Sequence, residues 1–280
     1  MGLLGFDGNM NTGLTLRTIR IRRGVAQVRA GATLLFDSDP EEEERETRIK
    51  ASAMLDAIRR KEAIRSVPSA DESPGRGKRV LLVDHQDSFV HTLANYLRQT
   101  GADVVTLRAG FPDEELDHLQ PHLVVLSPGP GRPSDFGVSR TISVAMRRGL
   151  PVFGVCLGLQ GMVEHFGGTL GILSYPMHGK SSVVRVLGGR TFDGMPHELK
   201  VGRYHSLYAE RQTLPESLVV TAETEDGVVM AVEHRDLPLA AVQFHPESIL
   251  TLEGNLGLQL IRNTVSWLTA SRQSSVVGHQ

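Results

Sequence analysis

One cysteine, Cys156, sits in the run GVCLGLQ between Gly154 and Gly158. The apolar residues before it read as a strand and those after it as a helix. The thiol is therefore expected on a tight strand-to-helix turn, exposed to a ligand. Backbone N–H groups at the start of a helix point the same way and favour negative charge. That setting lowers a thiol pKa and stabilises an oxyanion. A lone cysteine is also at home as a small buried hydrophobe, and Cys156 by itself leaves both readings open.

His245 and Glu247 lie two residues apart in QFHPES, where an apolar strand runs into Pro246. Residues two apart at a strand end share one side of the backbone. The carboxylate would fix the imidazole tautomer and the imidazole would take a thiol proton, the logic of nucleophile, base and orienter. The plain alternative is a surface histidine beside a solvated glutamate, one of eleven histidines in the chain. A third feature is SPGPGRPSD, residues 127–135, with three prolines and two glycines. It reads as a stiff loop with backbone freedom at Gly129 and Gly131, able to present an N–H to an oxyanion or to serve as a surface turn.

The elements that must position these residues alternate along the chain. RVLLVD, ADVVTLR, HLVVLS and PVFGVC read as strands. DSFVHTLANYLRQTG, FPDEELDHL, VSRTISVAMRRG and LGLQGMVEHFGG read as the helices between and after them. Nearly continuous apolar strands in a β-α-β-α order predict a parallel sheet covered on both faces. Ligands in such folds bind at the carboxyl ends of the strands, where the loops after Leu126 and Val155 fall. Short strands and turns are expected over about residues 169–244, and GNLGLQLIRNTVSWL reads as a closing helix.

Composition bounds the function. The chain has 280 residues, 40% hydrophobic and 22% charged, with a net charge of -2 and a pI near 6.6. It is long enough for a sizeable core, and its charge argues for neither a nucleic-acid nor a membrane partner. One cysteine forms no internal disulfide, and no C-x-x-C pair offers a zinc site; a reducing, cytoplasmic setting is expected. No apolar run approaches the length of a membrane helix, and MGLLGFDGNMNTG lacks the form of a secretion signal.

LSPGPG, GVCLGLQ and QFHPES, in this order and spacing, resemble the three signatures of class I, triad-type glutamine amidotransferases. DHQDSF after the opening strand, HGK at 178–180 and YHSL at 204–207 resemble the anthranilate and aminodeoxychorismate synthase branch. The resemblance spans about residues 79–268. It implies an α/β, flavodoxin-like fold with a mostly parallel central sheet. It also implies Cys156 as nucleophile, His245 as base and Glu247 as orienting carboxylate. The Gly129 and Leu157 N–H groups would form the oxyanion hole. Gly129, Pro130, Gly131, Gln160, Ser206 and Leu207 match positions that hold L-glutamine. The implied chemistry releases ammonia through a thioester and needs no cofactor, and His178 and Lys180 would contact the synthase that uses the ammonia.

Before this region, residues 65–78 (RSVPSADESPGRGK) read as a linker. Residues 1–64 read as a hairpin turning at Arg23-Gly24 and a helix started by Ser38 or Asp39 and Pro40, too little for an independent core. LTLRTI, AGAT and EEEERETRIKA resemble the end of a chorismate-utilising α+β synthase domain. Arg17, Gly31 and Lys50 then match chorismate-binding positions. Glu43 and Glu46 match carboxylates that hold Mg²⁺ in a complete synthase, although an acidic helix start is usually just solvated. Thr33 replaces the second glycine of the family's AGAG turn. The expected organisation is a synthase remnant (1–64), a linker (65–78), an amidotransferase (79–270) and a tail (271–280). It resembles a C-terminal portion of the fused anthranilate synthases, with the rest of the synthase as partner. Rival expectations are the same chemistry serving aminodeoxychorismate or a phenazine precursor, or a silent glutamine-binding regulatory domain.

On this reading the purified chain makes no anthranilate from chorismate, even with ammonia and Mg²⁺ supplied. The assay is fluorescence of the product, and any sustained signal above a no-protein control overturns the reading of residues 1–64.

Overall fold

A computed structural model describes residues 2–4, 10–12, 19–22, 24–30, 39–59, 73–251 and 253–270. The chain divides into two units, Met1–Val67 and Pro68–Gln280. In the first, β1 (Gly2–Leu4) pairs antiparallel with β2 (Met10–Thr12). β3 (Ile19–Arg22) and β4 (Val25–Val28) form a hairpin that pairs Arg22 with Val25 across the expected turn. α1 (Pro40–Arg59) starts at Asp39, whose Oδ1 accepts from the Glu41 N–H at 2.9 Å, with Pro40 as first helical residue. Arg17 and Gly31 lie outside the described residues, as do the side chains of Glu43, Glu46 and Lys50, whose backbone belongs to α1.

The described part of the second unit begins with a turn over residues 73–78, where the Gly75 N–H donates to the Thr100 carbonyl at 2.9 Å. Then follow β5 (Arg79–Asp84), α2 (Val90–Arg98), β6 (Asp103–Arg108), α3 (Glu115–Leu119), β7 (Leu123–Leu126), α4 (Val138–Arg147), β8 (Val152–Val155) and α5 (Leu157–His165). β9 (Leu170–Val186), β10 (Glu198–Ala209), β11 (Leu218–Thr224), β12 (Val229–His234), β13 (Leu239–Val242) and α6 (Leu256–Ala270) complete it. Among the described residues no helix is long and apolar enough to cross a membrane.

The nine strands among the described residues of this unit form one sheet, in the order β10-β9-β11-β12-β13-β8-β7-β5-β6. From β13 to β6 every pairing is parallel. Taken in chain order, these five strands run 2-1-3-4-5, the flavodoxin-like winding, with a switch point between β5 and β7. Alternation along β5 shows why its sequence is apolar throughout. Val80 and Leu82 join Leu93, Leu97, Ile261 and Val265 of α2 and α6 on one face. Leu81 and Val83 join Ile142, Ala145, Leu159 and Met162 of α4 and α5 on the other. A strand buried on both faces has no polar side to show.

The remaining strands extend the sheet antiparallel. Here the structure departs from the expected short strands: β9 runs 17 residues and β10 runs 12. Pro176 and Gly179 look like breaks in sequence, but the β9–β10 register shifts at two places absorb the irregular residues as bulges.

The nucleophile turn depends on close packing of strand against helix. A Cβ on Gly154 would stand 2.5 Å from the Gly158 carbonyl carbon, and one on Gly158 would stand 2.8 Å from the Leu126 carbonyl oxygen. Gly154→Ala therefore overpacks the β8–α5 contact, at a cost of about 1–3 kcal/mol. In a domain of this size that lowers the melting temperature by roughly 2–4 °C per kcal/mol. A calorimetric melt coinciding with wild type would mean that β8 and α5 do not approach this closely.

Candidate active site

Cys156 follows β8 directly and is the residue before α5, with φ 53° and ψ −97°. A non-glycine side chain in that region is strained, and the strain is held by the backbone on both sides. The Cys156 N–H donates to the Val242 carbonyl at 2.8 Å, and its carbonyl accepts from the Gln160 N–H at 3.1 Å. The sulfur is left facing the Gln243 amide and the His245 ring. The residue is only 4% exposed.

His245 and Glu247 reach the same place by a different route from the expected one. β13 ends at Val242, so neither residue is in the strand. The His245 N–H instead donates to the Gly202 carbonyl at 3.0 Å, and the chain turns through Pro246. Across that turn His245 Nδ1 lies 2.9 Å from Glu247 Oε1. The two are 1% and 2% exposed. Thr251 Oγ1 donates to the His245 carbonyl at 2.7 Å and accepts from the Gly202 N–H at 3.0 Å. Phe89 and Tyr204 rings hold the imidazole from two directions, each with its centroid 4.9 Å away.

With Nδ1 committed to Glu247, Nε2 is the atom left for chemistry. It is buried without a hydrogen-bond partner of normal geometry. Burial is the largest influence on this imidazole and opposes its charge, but the Glu247 carboxylate and the Cys156 sulfur together outweigh it and hold the pKa well above the ordinary value. This imidazole therefore accepts a proton more readily than a free one, as a base set beside a sulfur must.

The loop after β7 lies against this turn. A Cβ on Gly129 would stand 2.6 Å from Leu157 Cδ2 and 2.7 Å from His85 Cβ, so only glycine fits between them. Pro130 and Gly131 follow on the exposed crest. His85 braces the loop from below: its N–H donates to Ser127 Oγ at 2.9 Å, and its ring Nδ1 meets the Ser127 carbonyl at 3.1 Å. Burial holds this imidazole down to about 4, against opposing hydrogen bonding to Ser127.

A wall of amides faces the sulfur. Gln160 Nε2 donates to the Leu207 carbonyl at 3.2 Å and to Gln243 Oε1 at 3.3 Å. Gln243 Nε2 in turn points at Cys156 Sγ, 3.5 Å away. Ser206 lies beside Leu207 and its Oγ is 3.1 Å from His178 Nε2. The Lys180 ammonium sits 3.7 Å above the Tyr175 ring. Cys156, His245, Glu247, Gly129, Leu157, Gln160 and Leu207 therefore converge. Gln243, His85, Phe89 and Tyr204 fall within the quoted runs QFHPES, DHQDSF and YHSL but had no individual role assigned from sequence. Gln243 had a signal, since a lone amide inside the apolar run AAVQF is a buried polar group in need of a partner.

The chain matches the family model for glutamine amidotransferase class-I over residues 81–263 and that for chorismate binding enzyme over residues 1–56. It is 64% identical over 271 residues to an anthranilate synthase of Azospirillum brasilense, which covers 96% of this chain and 37% of that protein. The chain thus spans little more than a third of that relative's length. It is 38% identical to aminodeoxychorismate/anthranilate synthase component 2 of Bacillus subtilis, covering 66% of this chain and 95% of that one. Among solved structures it resembles one described as a GMP synthase protein of Thermoplasma acidophilum. That match has 25% identity and a TM-score of 0.63 over 71% of this chain and 98% of the other.

The buried histidines set a pH dependence. His85 and His205 are both held to about 4 in the fold, against 6.5 in the unfolded chain. The unfolded chain therefore takes up their protons first, and stability present above pH 6.5 declines as the pH falls toward 4. Each contributes at most about 3 kcal/mol to that decline. His245 has the opposite sign: its contribution is full below pH 6.5 and is lost as the pH rises through its raised value. Urea unfolding of wild type and His85→Gln between pH 6.5 and 4.5 checks this, with the shallower decline expected for the variant. Parallel declines would remove His85 as a source.

Proposed function

The chain belongs to the class-I glutamine amidotransferase family, and from that footing we propose that it hydrolyses L-glutamine to glutamate and ammonia for the conversion of chorismate to anthranilate. The observation that carries the hydrolysis is the buried His245–Glu247 contact at 2.9 Å, set beside a sulfur on a strained turn. His245 Nε2 takes the Cys156 proton, and the thiolate attacks the glutamine amide carbon. The Gly129 and Leu157 N–H groups receive the oxyanion. The imidazolium passes its proton to the leaving nitrogen, ammonia departs and a thioester remains. Water then attacks, with His245 again as base, and glutamate leaves. Gln160, Ser206 and Leu207 hold the glutamine, with Gly129, Pro130 and Gly131 on the opposite side.

The use of the ammonia is supported by the relatives. The Azospirillum protein, alike over nearly the whole of this chain, is an anthranilate synthase. The match of residues 1–56 to chorismate binding enzymes points to the same product. Arg17, Gly31 and Lys50 would serve chorismate in a complete synthase domain. Glu43 and Glu46 are three apart on α1 and so share one helix face, a spacing that suits Mg²⁺, which takes oxygen ligands. The partner is then a synthase, with His178 and Lys180 at the contact, and the setting is cytoplasmic.

The test is glutamate release from glutamine by wild type and Cys156→Ala, with a competent synthase supplied. Removal of the nucleophile abolishes release, a loss of at least about 10⁴-fold. Equal rates in the two proteins would sink the assignment. Product analysis of the complete protein with its own synthase portion yields anthranilate from chorismate; aminodeoxychorismate instead would move the chain to the other branch.

A further inference from the structure

A second buried pair stands behind the amide wall, outside the groups assigned above. Arg203 and His205 alternate on β10 and are 4% and 3% exposed. Arg203 Nε donates to His205 Nε2 at 3.0 Å, and its Nη1 donates to Ser182 Oγ at 3.3 Å. His205 Nδ1 lies 2.8 Å from the Leu207 carbonyl. A guanidinium has only donors, so Nε2 must be the bare acceptor and Nδ1 must carry the proton. The tautomer is thus set by Arg203, and His205 donates to Leu207.

That carbonyl is the one that also accepts from Gln160. The hydrogen bonds therefore form one chain: Arg203 to His205, His205 to the Leu207 carbonyl, Gln160 to the same carbonyl and to Gln243, and Gln243 to Cys156 Sγ. The directions agree at each step. Gln160 gives both amide protons away, so Gln243 must turn its oxygen toward Gln160 and its nitrogen toward the sulfur. The chain is needed at this place because β10 is irregular there: its register with β9 shifts between His205 and Leu207. Leu207 resumes the pairing opposite Ile172, and the His205 ring ties its carbonyl across the interrupted step.

The geometry points to Arg203 and His205 as positioning residues for glutamine: they fix the Leu207 peptide and, through it, the Gln160 amide that the substrate must meet. This rests on the glutaminase reading. Neither residue touches the reacting atoms, so their loss weakens glutamine capture rather than the chemistry at sulfur.

The probe is the chloroketone analogue of glutamine, which alkylates the thiolate with loss of chloride. Iodoacetamide, too small to use the wall, reports on the thiolate alone. Wild type shows saturable alkylation by the analogue at Cys156. His205→Phe keeps a ring of similar size but loses both nitrogens. It raises the half-saturating analogue concentration about tenfold, the effect of one lost buried hydrogen bond. The maximal rate and the iodoacetamide rate stay within about threefold of wild type, as a loss confined to the wall requires. His205→Asn, which restores a donor near Nδ1, recovers most of the half-saturation. Arg203→Met, which frees the tautomer, gives a smaller rise and serves if His205→Phe does not fold.

Unchanged half-saturation in His205→Phe, or in Arg203→Met where that variant must stand in, overturns the positioning role. So does an equal slowing with iodoacetamide, which would place the effect at the sulfur or in the whole fold. Failure of wild type to saturate would instead remove the glutamine reading itself, and the positioning role with it.

Discussion

The site depends on one backbone constraint: Cys156 is held in a conformation that its side chain disfavours. An L-residue at φ 53° and ψ −97° does not stay there unassisted. The restraint comes from a parallel sheet in which β8 lies between β7 and β13. Its last residues are pinned on both sides, and α5 begins without an intervening loop. Gly154 and Gly158 remove the two side chains that would force helix and strand apart. Held so, Cys156 is buried beside the core, yet its sulfur meets the Gln243 amide and the His245 ring. The strain is the difference between the two readings that the lone thiol leaves open in sequence.

Three histidines close to this turn are buried to a similar degree and behave differently. His85 and His205 are neutral because burial is the dominant influence and their partners are a hydroxyl, carbonyls and, for His205, a guanidinium that only donates. His245 is equally buried, yet its partners are a carboxylate and a sulfur. The first two serve as fixed hydrogen-bonding struts whose protons do not move near neutral pH. The third is held where charge is tolerated. Burial alone does not distinguish a base from a strut, whereas the sign of the neighbouring charge does.

Much of this was legible in sequence because it follows from local rules. The parallel strands were visible in unbroken apolar runs such as LVVL, and the thiol in its glycine frame. The start of α1 was visible in Asp39-Pro40. Where the reading went astray, tertiary structure overrode a local signal. Short strands and turns were expected over about residues 169–244, but pairing with the long β10 carries β9 through Pro176 and Gly179. QFHPES read as a strand reaching His245, but Val242 is the last residue with a partner on β8. The amide wall was the least legible part. Gln160 and Gln243 are 83 positions apart in sequence, and nothing local announces that two amides will meet.

The division of the sheet explains why the parts of the site are held so differently. The parallel half supplies the nucleophile and the oxyanion loop, both at strand ends, where the winding brings side chains together without further help. The base and the glutamine wall come from beyond β13 and from β10, the far edge of the antiparallel half. Sheet hydrogen bonding cannot align β10 with β8, because β9, β11, β12 and β13 lie between them. Curling of the sheet closes that gap at one point, where the His245 N–H meets the Gly202 carbonyl. From there inward, alignment must be made by side chains: Thr251 on the two backbones, Tyr204 on the imidazole, and the amides between Leu207 and the sulfur. A site assembled at such a seam is precise only as long as these linking hydrogen bonds stay made, because each one lost loosens the next.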